Sequence, residues 1–142
     1  MKTVIFACVH SAGRSQMAAA WFNELADPAT ARALAAGTQP AERVHPVVVD
    51  AMNEVGVDLS DAKPRLLTEE LVAKASFLIT MGCGESCPVA PPGVHRRDWE
   101  LEDPKGQPMD RVRAIRDDIR RRVAALIDEN DWPRAAPRRA PT

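Results

Sequence analysis

The chain has 142 residues, 45% of them hydrophobic, which is enough for one domain with a core of its own. Its net charge of −1 argues against nucleic acid or an anionic membrane surface as a partner. No apolar run is long enough to span a bilayer and the N-terminus lacks the regions of a signal peptide, so a cytoplasmic location, where thiols stay reduced, is expected.

In chain order, Val4-Ile5-Phe6-Ala7 has the unbroken apolar run of a buried parallel strand, and Gln16 to Leu25 reads as a helix. Arg32 to Gly37 is predicted as a second, weaker strand. A helix follows with Pro46 at its first position, Gly56 as its stop, and Val48, Met52 and Val55 on one face. Thr68 is placed to cap a further helix whose first turn carries Glu69 and Glu70. Ser76 to Met81 is another buried-strand run, followed by a loop rich in glycine and proline through Gly93, and Val94 to Arg97 is a short strand. Val112, Ile115, Ile119, Val123 and Leu126 recur at helical spacing, so the last element is a long amphipathic helix. Residues 1–131 are therefore expected to form one domain. The stretch 132–142, rich in Pro, Arg and Ala, is expected to be a disordered tail. Strands alternating with helices imply an α/β fold: an open, mostly parallel four-stranded sheet with helices on both faces.

The segment Cys8-Val9-His10-Ser11-Ala12-Gly13-Arg14-Ser15 joins the first strand to the first helix. A small-residue loop in that position directs unpaired backbone N–H groups and the positive end of the helix dipole toward whatever it encloses. Val9, His10, Ser11, Ala12, Gly13 and Arg14 are thus candidate oxyanion ligands, with the Arg14 guanidinium adding a bidentate contact. The same field favours a thiolate, which makes Cys8 a candidate nucleophile, and the Ser15 hydroxyl can donate to its sulfur. In parallel sheets ligands sit beyond the carboxyl ends of the strands, where this loop would lie.

The other two cysteines, Cys83 and Cys87, follow a predicted strand in the same way, so their loop opens on the same sheet edge. Gly82 and Gly84 give Cys83 freedom to move, and a three-residue spacer can bring two sulfurs within disulfide range. Redox exchange, a zinc site shared with Cys8 and either His10 or His95, and passive thiols are all compatible with this spacing. Asp103, before Pro104, can protonate a leaving oxygen if it reaches the same site.

Cys8 to Ser15 matches the Cys-x5-Arg-Ser loop of the low-molecular-weight protein tyrosine phosphatase fold, and Cys8 to Ala19 more specifically resembles the arsenate reductases built on that fold. Ala36-Gly37-Thr38-Gln39-Pro40, Thr80-Met81-Gly82-Cys83-Gly84, Cys87-Pro88 and Trp99-Glu100-Leu101-Glu102-Asp103-Pro104 extend the similarity to about Asn130. The resemblance implies that Cys8 is the nucleophile, that the loop and Arg14 cradle arsenate, that Ser15 supports the thiolate and that Asp103 is the general acid. It further implies that Cys83 and Cys87 are a resolving pair re-reduced by thioredoxin or a low-molecular-weight thiol. No metal or tightly bound cofactor is implied, and a monomer or homodimer is expected. Phosphatases of this fold carry a tyrosine beside the Asp-Pro pair, whereas Asp103-Pro104 precedes Lys105-Gly106 and the chain has no tyrosine. Two positions depart from the reductases: Ser11 stands where they usually have Asn, and their late cysteines are commonly further apart. A phosphomonoesterase using Cys8, Arg14 and Asp103 is the alternative enzyme, and a thiol-based sensor of arsenic or metal the alternative binding protein.

Overall fold

Four parallel strands pair in the order β2-β1-β3-β4, with β1 at Lys2–Cys8, β2 at Ala31–Gly37, β3 at Phe77–Thr80 and β4 at His95–Asp98. They belong to a computed structural model that describes residues 2–82 and 90–133. The four helices are α1 at Arg14–Leu25, α2 at Pro46–Glu54, α3 at Glu69–Ala73 and α4 at Met109–Glu129. The four-stranded α/β arrangement expected from the sequence is the one observed.

Alternation along β1 divides the core in two. Val4, Phe6 and Cys8 face one side, where they join Met17 and Phe22 of α1, Val48 and Met52 of α2, and Ile119, Val123 and Leu126 of α4. Ile5 and Ala7 face the other side, against Val72 of α3, Leu67 and Leu78. Both faces of β1 are thus covered, which is why its sequence is apolar without a break.

Local rules account for the helix ends. Pro46 occupies the first turn of α2, and the Thr68 hydroxyl accepts from the Leu71 N–H at the start of α3. Val55, expected on one face with Val48 and Met52, is exposed while those two are buried: the helix stops at Glu54, and Gly56 at φ 80° turns the chain away. On the face of α4, all five predicted apolar positions are buried. Glu54 binds α2 to α4 by accepting from Arg113 (2.9 and 2.8 Å) and from Arg116 (3.0 Å).

Trp132 packs edge-on against Phe22 and Phe77, and the Asp27 N–H donates to its carbonyl, so the core extends one residue past the composition change at 131. Residues 134–142 of the expected tail lie outside the described residues. At the free edge of the sheet, the Asn23 side chain donates to the Ala33 carbonyl and accepts from the Ala33 N–H. Among the described residues no helix is long and apolar enough to cross a membrane.

Candidate active site

The carboxyl ends of β1, β3 and β4 open on one edge of the sheet, and the segments leaving them build the site. From β1 the chain enters the loop 8–14. Its carbonyls are turned outward and satisfied: Thr38, Gln39, Ala41, His45 and Met17 N–H groups donate to the carbonyls of Cys8, Val9, His10, Ala12 and Gly13, and the Gln16 amide donates to that of Ser11. By contrast, none of the backbone N–H groups of Val9, His10, Ser11, Ala12, Gly13 and Arg14 donates to another described residue. Spent acceptors outside and unspent donors left over are the backbone signature of an anion-binding concavity. It opens onto the N-terminus of α1, which has no side-chain cap of its own.

Cys8 sits at the base of this loop, 3% exposed, with its thiol donating to Ser15 Oγ at 3.2 Å. Ser15 Oγ in turn lies 3.4 Å from Ser11 Oγ. Ser11 adopts φ 51°, the left-handed region, which non-glycine residues occupy at a cost. Arg14 leads α1, and its Nη1 donates to the Leu101 carbonyl at 3.1 Å while its Nη2 lies 3.8 Å from Asp103 Oδ2. The acid predicted from the Asp-Pro pair therefore does reach the loop, with its carboxyl half exposed beside the guanidinium.

Three glycines are moulded to this geometry. A Cβ on Gly37 would meet backbone at Val9 O (2.6 Å) and Ser11 N (2.8 Å), so only glycine lets β2 pass beneath the loop. One on Gly13 would stand 2.8 Å from Pro104 Cγ, which shows how closely the Asp103-Pro104 turn lies on the loop. At Gly82, with φ 103°, it would stand 2.5 Å from Arg14 Nη1.

Cys83 and Cys87 lie outside the described residues, so of the predicted site Cys8, the loop Val9 to Arg14, Ser15 and Asp103 are brought together. His10 Nδ1 donates to the Gln39 carbonyl at the surface, and His95 stacks on Phe77, 5.1 Å between ring centroids. Two participants were not singled out from sequence. Gln16 follows Ser15 and buries its amide against Ser11. His45, the residue before α2, donates its N–H to Ala12 O and lies beside Gly13 and Pro104. Burial holds the His45 imidazole below its ordinary protonation range, and the Asp103 charge partly opposes this. Gln16 was hidden because an amide on a first helical turn gives no chemical signal, and His45 because its approach depends on the tertiary path.

The model of the low molecular weight phosphotyrosine protein phosphatase family matches residues 3–131. A Halobacterium salinarum protein provisionally named an arsenate reductase is 42% identical over 130 residues, 87% of this chain and 89% of its own. Arsenate reductase 1 of Bacillus cereus is 36% identical over 134 residues, 92% and 97% of the two chains. Among solved structures, a thioredoxin-dependent arsenate reductase of Corynebacterium glutamicum superposes with a TM-score of 0.79 at 36% identity. That match covers 92% of this chain but 62% of the larger neighbour. With its fold and nearly its whole length accounted for, the chain belongs to the low molecular weight phosphotyrosine protein phosphatase family.

Proposed function

We propose that this protein reduces arsenate to arsenite, with Cys8 as nucleophile and Cys83 and Cys87 as a disulfide relay. The observation that carries the reading is the geometry around Cys8: a buried sulfur beneath N–H donors left unspent among the described residues, with Arg14 and Asp103 beside them. That arrangement suits a tetrahedral dianion attacked by a thiolate. The names of the relatives at 36–42% identity support arsenate as the substrate, and the two further cysteines in the sequence supply an electron route that ester hydrolysis does not need.

In the first step the Cys8 thiolate forms an S–As bond, and one arsenate oxygen leaves as water after Asp103 donates a proton. Ser15 donates to the thiolate, and Arg14 with the loop N–H groups holds the remaining oxygens. Next the Cys83 thiolate attacks Cys8 Sγ. The S–As bond breaks, its electron pair stays on arsenic, arsenic falls from the +5 to the +3 state, and arsenite leaves behind a Cys8–Cys83 disulfide. Cys87 then attacks Cys83, releasing the Cys8 thiolate, and thioredoxin reduces the resulting Cys83–Cys87 disulfide.

The test follows NADPH consumption with arsenate, supplying either thioredoxin and its reductase or a low-molecular-weight thiol with its own redoxin. Turnover is expected with the first. Cys87→Ser is expected to stop after one turnover with Cys8 and Cys83 joined. Sustained turnover by that variant with thioredoxin overturns the relay, and rapid aryl phosphate hydrolysis untouched by Cys83→Ser would instead assign a phosphomonoesterase.

A further inference from the structure

Four polar side chains lie in a row behind the anion loop, all essentially sealed from solvent: Gln16 is 5% exposed, Ser11 and Ser15 0%, and Cys8 3%. Gln16 Nε2 stands 3.2 Å from Ser11 Oγ, Ser11 Oγ 3.4 Å from Ser15 Oγ, and Ser15 Oγ 3.2 Å from Cys8 Sγ. We propose that Gln16 and Ser11 are positioning residues that aim this chain of hydrogen bonds inward, so that the Ser15 hydroxyl points its proton at the Cys8 sulfur. The proposal rests on the reading of Cys8 as the nucleophile and deepens it.

Direction follows from what each group can do. The Gln16 amide nitrogen only donates. Of its two N–H groups, one goes to the Lys63 carbonyl at 3.2 Å and the other is shared between the Ser11 carbonyl at 2.9 Å and Ser11 Oγ. With Cys8 protonated, the thiol donates to Ser15 and Ser15 to Ser11, so Ser11 Oγ receives from both sides. Its own proton then has no acceptor among the described residues. With Cys8 ionised, both hydroxyls rotate. Ser11 then donates to Ser15, Ser15 donates to the sulfur, and every group in the row is satisfied. A buried donor without an acceptor is costly, so the fixed amide at the far end favours the ionised form at the near end.

The backbone agrees with this reading. Ser11 is held at φ 51°, where glycine would be relaxed. The hydroxyl is the feature that distinguishes serine from glycine in this buried place, and it is the link between Gln16 and Ser15.

Two variants test the proposal without arsenate. Ser11→Gly relaxes the backbone while removing the hydroxyl, and Gln16→Glu keeps the shape while replacing the donor with an acceptor. Alkylation of Cys8 by iodoacetamide is followed across pH by mass spectrometry of the Cys8 peptide, alongside thermal unfolding. The pH midpoint of alkylation is expected to rise by about one unit in each variant, a tenfold loss of thiolate below it. Turnover lost at neutral pH should return on raising the pH, which damage to the fold would not allow. An unchanged midpoint in a folded Ser11→Gly protein overturns the proposal, even where Gln16→Glu does not fold. A raised midpoint in a protein that leaves arsenate untouched supports the inward chain and rejects the substrate assignment alone.

Discussion

Gly82→Ala puts a number on how closely the segment after β3 is fitted to Arg14. The new methyl group would lie 2.5 Å from Nη1, 3.2 Å from Cζ and 3.4 Å from Nη2. Ordinary contact distance for such atoms is about 3.5–4.0 Å, so the guanidinium must retreat by about 1 Å or more. The clash is with the end of a flexible side chain, so it is the guanidinium and not the backbone that moves first. Retreat breaks the 3.1 Å bond to the Leu101 carbonyl and takes the charge away from the loop N–H groups. A hydrogen bond to a charged group contributes about 1.5–3 kcal/mol, so oxyanion affinity should fall by about 10- to 100-fold. Placing a non-glycine residue at φ 103° adds about 1–2 kcal/mol of instability. The assay is protection of Cys8 from iodoacetamide by arsenate or phosphate, which measures anion binding without the late cysteines; urea unfolding runs beside it. Protection within twofold of the parent, in a protein destabilised as expected, would refute the claim that Gly82 is reserved for the guanidinium.

Two other outcomes follow from the same geometry. Gly37→Ala drives a methyl into the backbone at Val9 O and Ser11 N, atoms that cannot step aside, and should lower stability by about 3 kcal/mol in urea unfolding. A loss under about 1 kcal/mol would mean that the loop is freer to shift than its outward hydrogen bonds indicate. Glu54 is held at about pKa 2, first by its hydrogen bond from Arg113 and then by Arg116, against an ordinary value of 4.5. A carboxylate lowered on folding stabilises the protein above its unfolded value and loses that contribution as pH falls from 4.5 toward 2. Glu54→Gln should therefore flatten the fall of the urea midpoint over that window, and an unaltered slope would show that the α2–α4 link carries no acid sensitivity.

Much of this architecture was legible in the residues because local rules and tertiary need coincide. Val4 to Ala7 had to be buried on both faces to be so apolar, and Pro46 and Thr68 mark helix starts by their own chemistry. The loop from Cys8 to Ser15 was readable because a thiol, a guanidinium and small residues at one strand-to-helix turn leave few other uses. What stayed hidden depends on neighbours distant in sequence. Gln16 acts through Ser11 and Lys63, and nothing in its local pattern marks it. His45 reaches the loop because the chain after β2 folds back over Ala12. Val55 followed the helical period and still became exposed, since the helix ends at Glu54 and leaves Val55 as its cap, with Gly56 turning the chain directly after it. Trp132 looked like part of a polar tail until Phe22 and Phe77 supplied the surfaces it packs on.

The bond pair between Asn23 and Ala33 reaches beyond the one residue it touches. On β2 the Ala31 N–H is taken by Asp27, both polar groups of Ala33 by Asn23, and both of Gly37 by Arg65 and Leu67. The side-chain amide stands in for a fifth strand at the middle of the edge, so an incoming extended peptide finds most of its partners already engaged. The opposite edge, β4, is four residues long and reads His95-Arg96-Arg97-Asp98, charged and short. With the β2 edge mostly engaged and β4 short and charged, the folded sheet offers a neighbouring chain little to pair with.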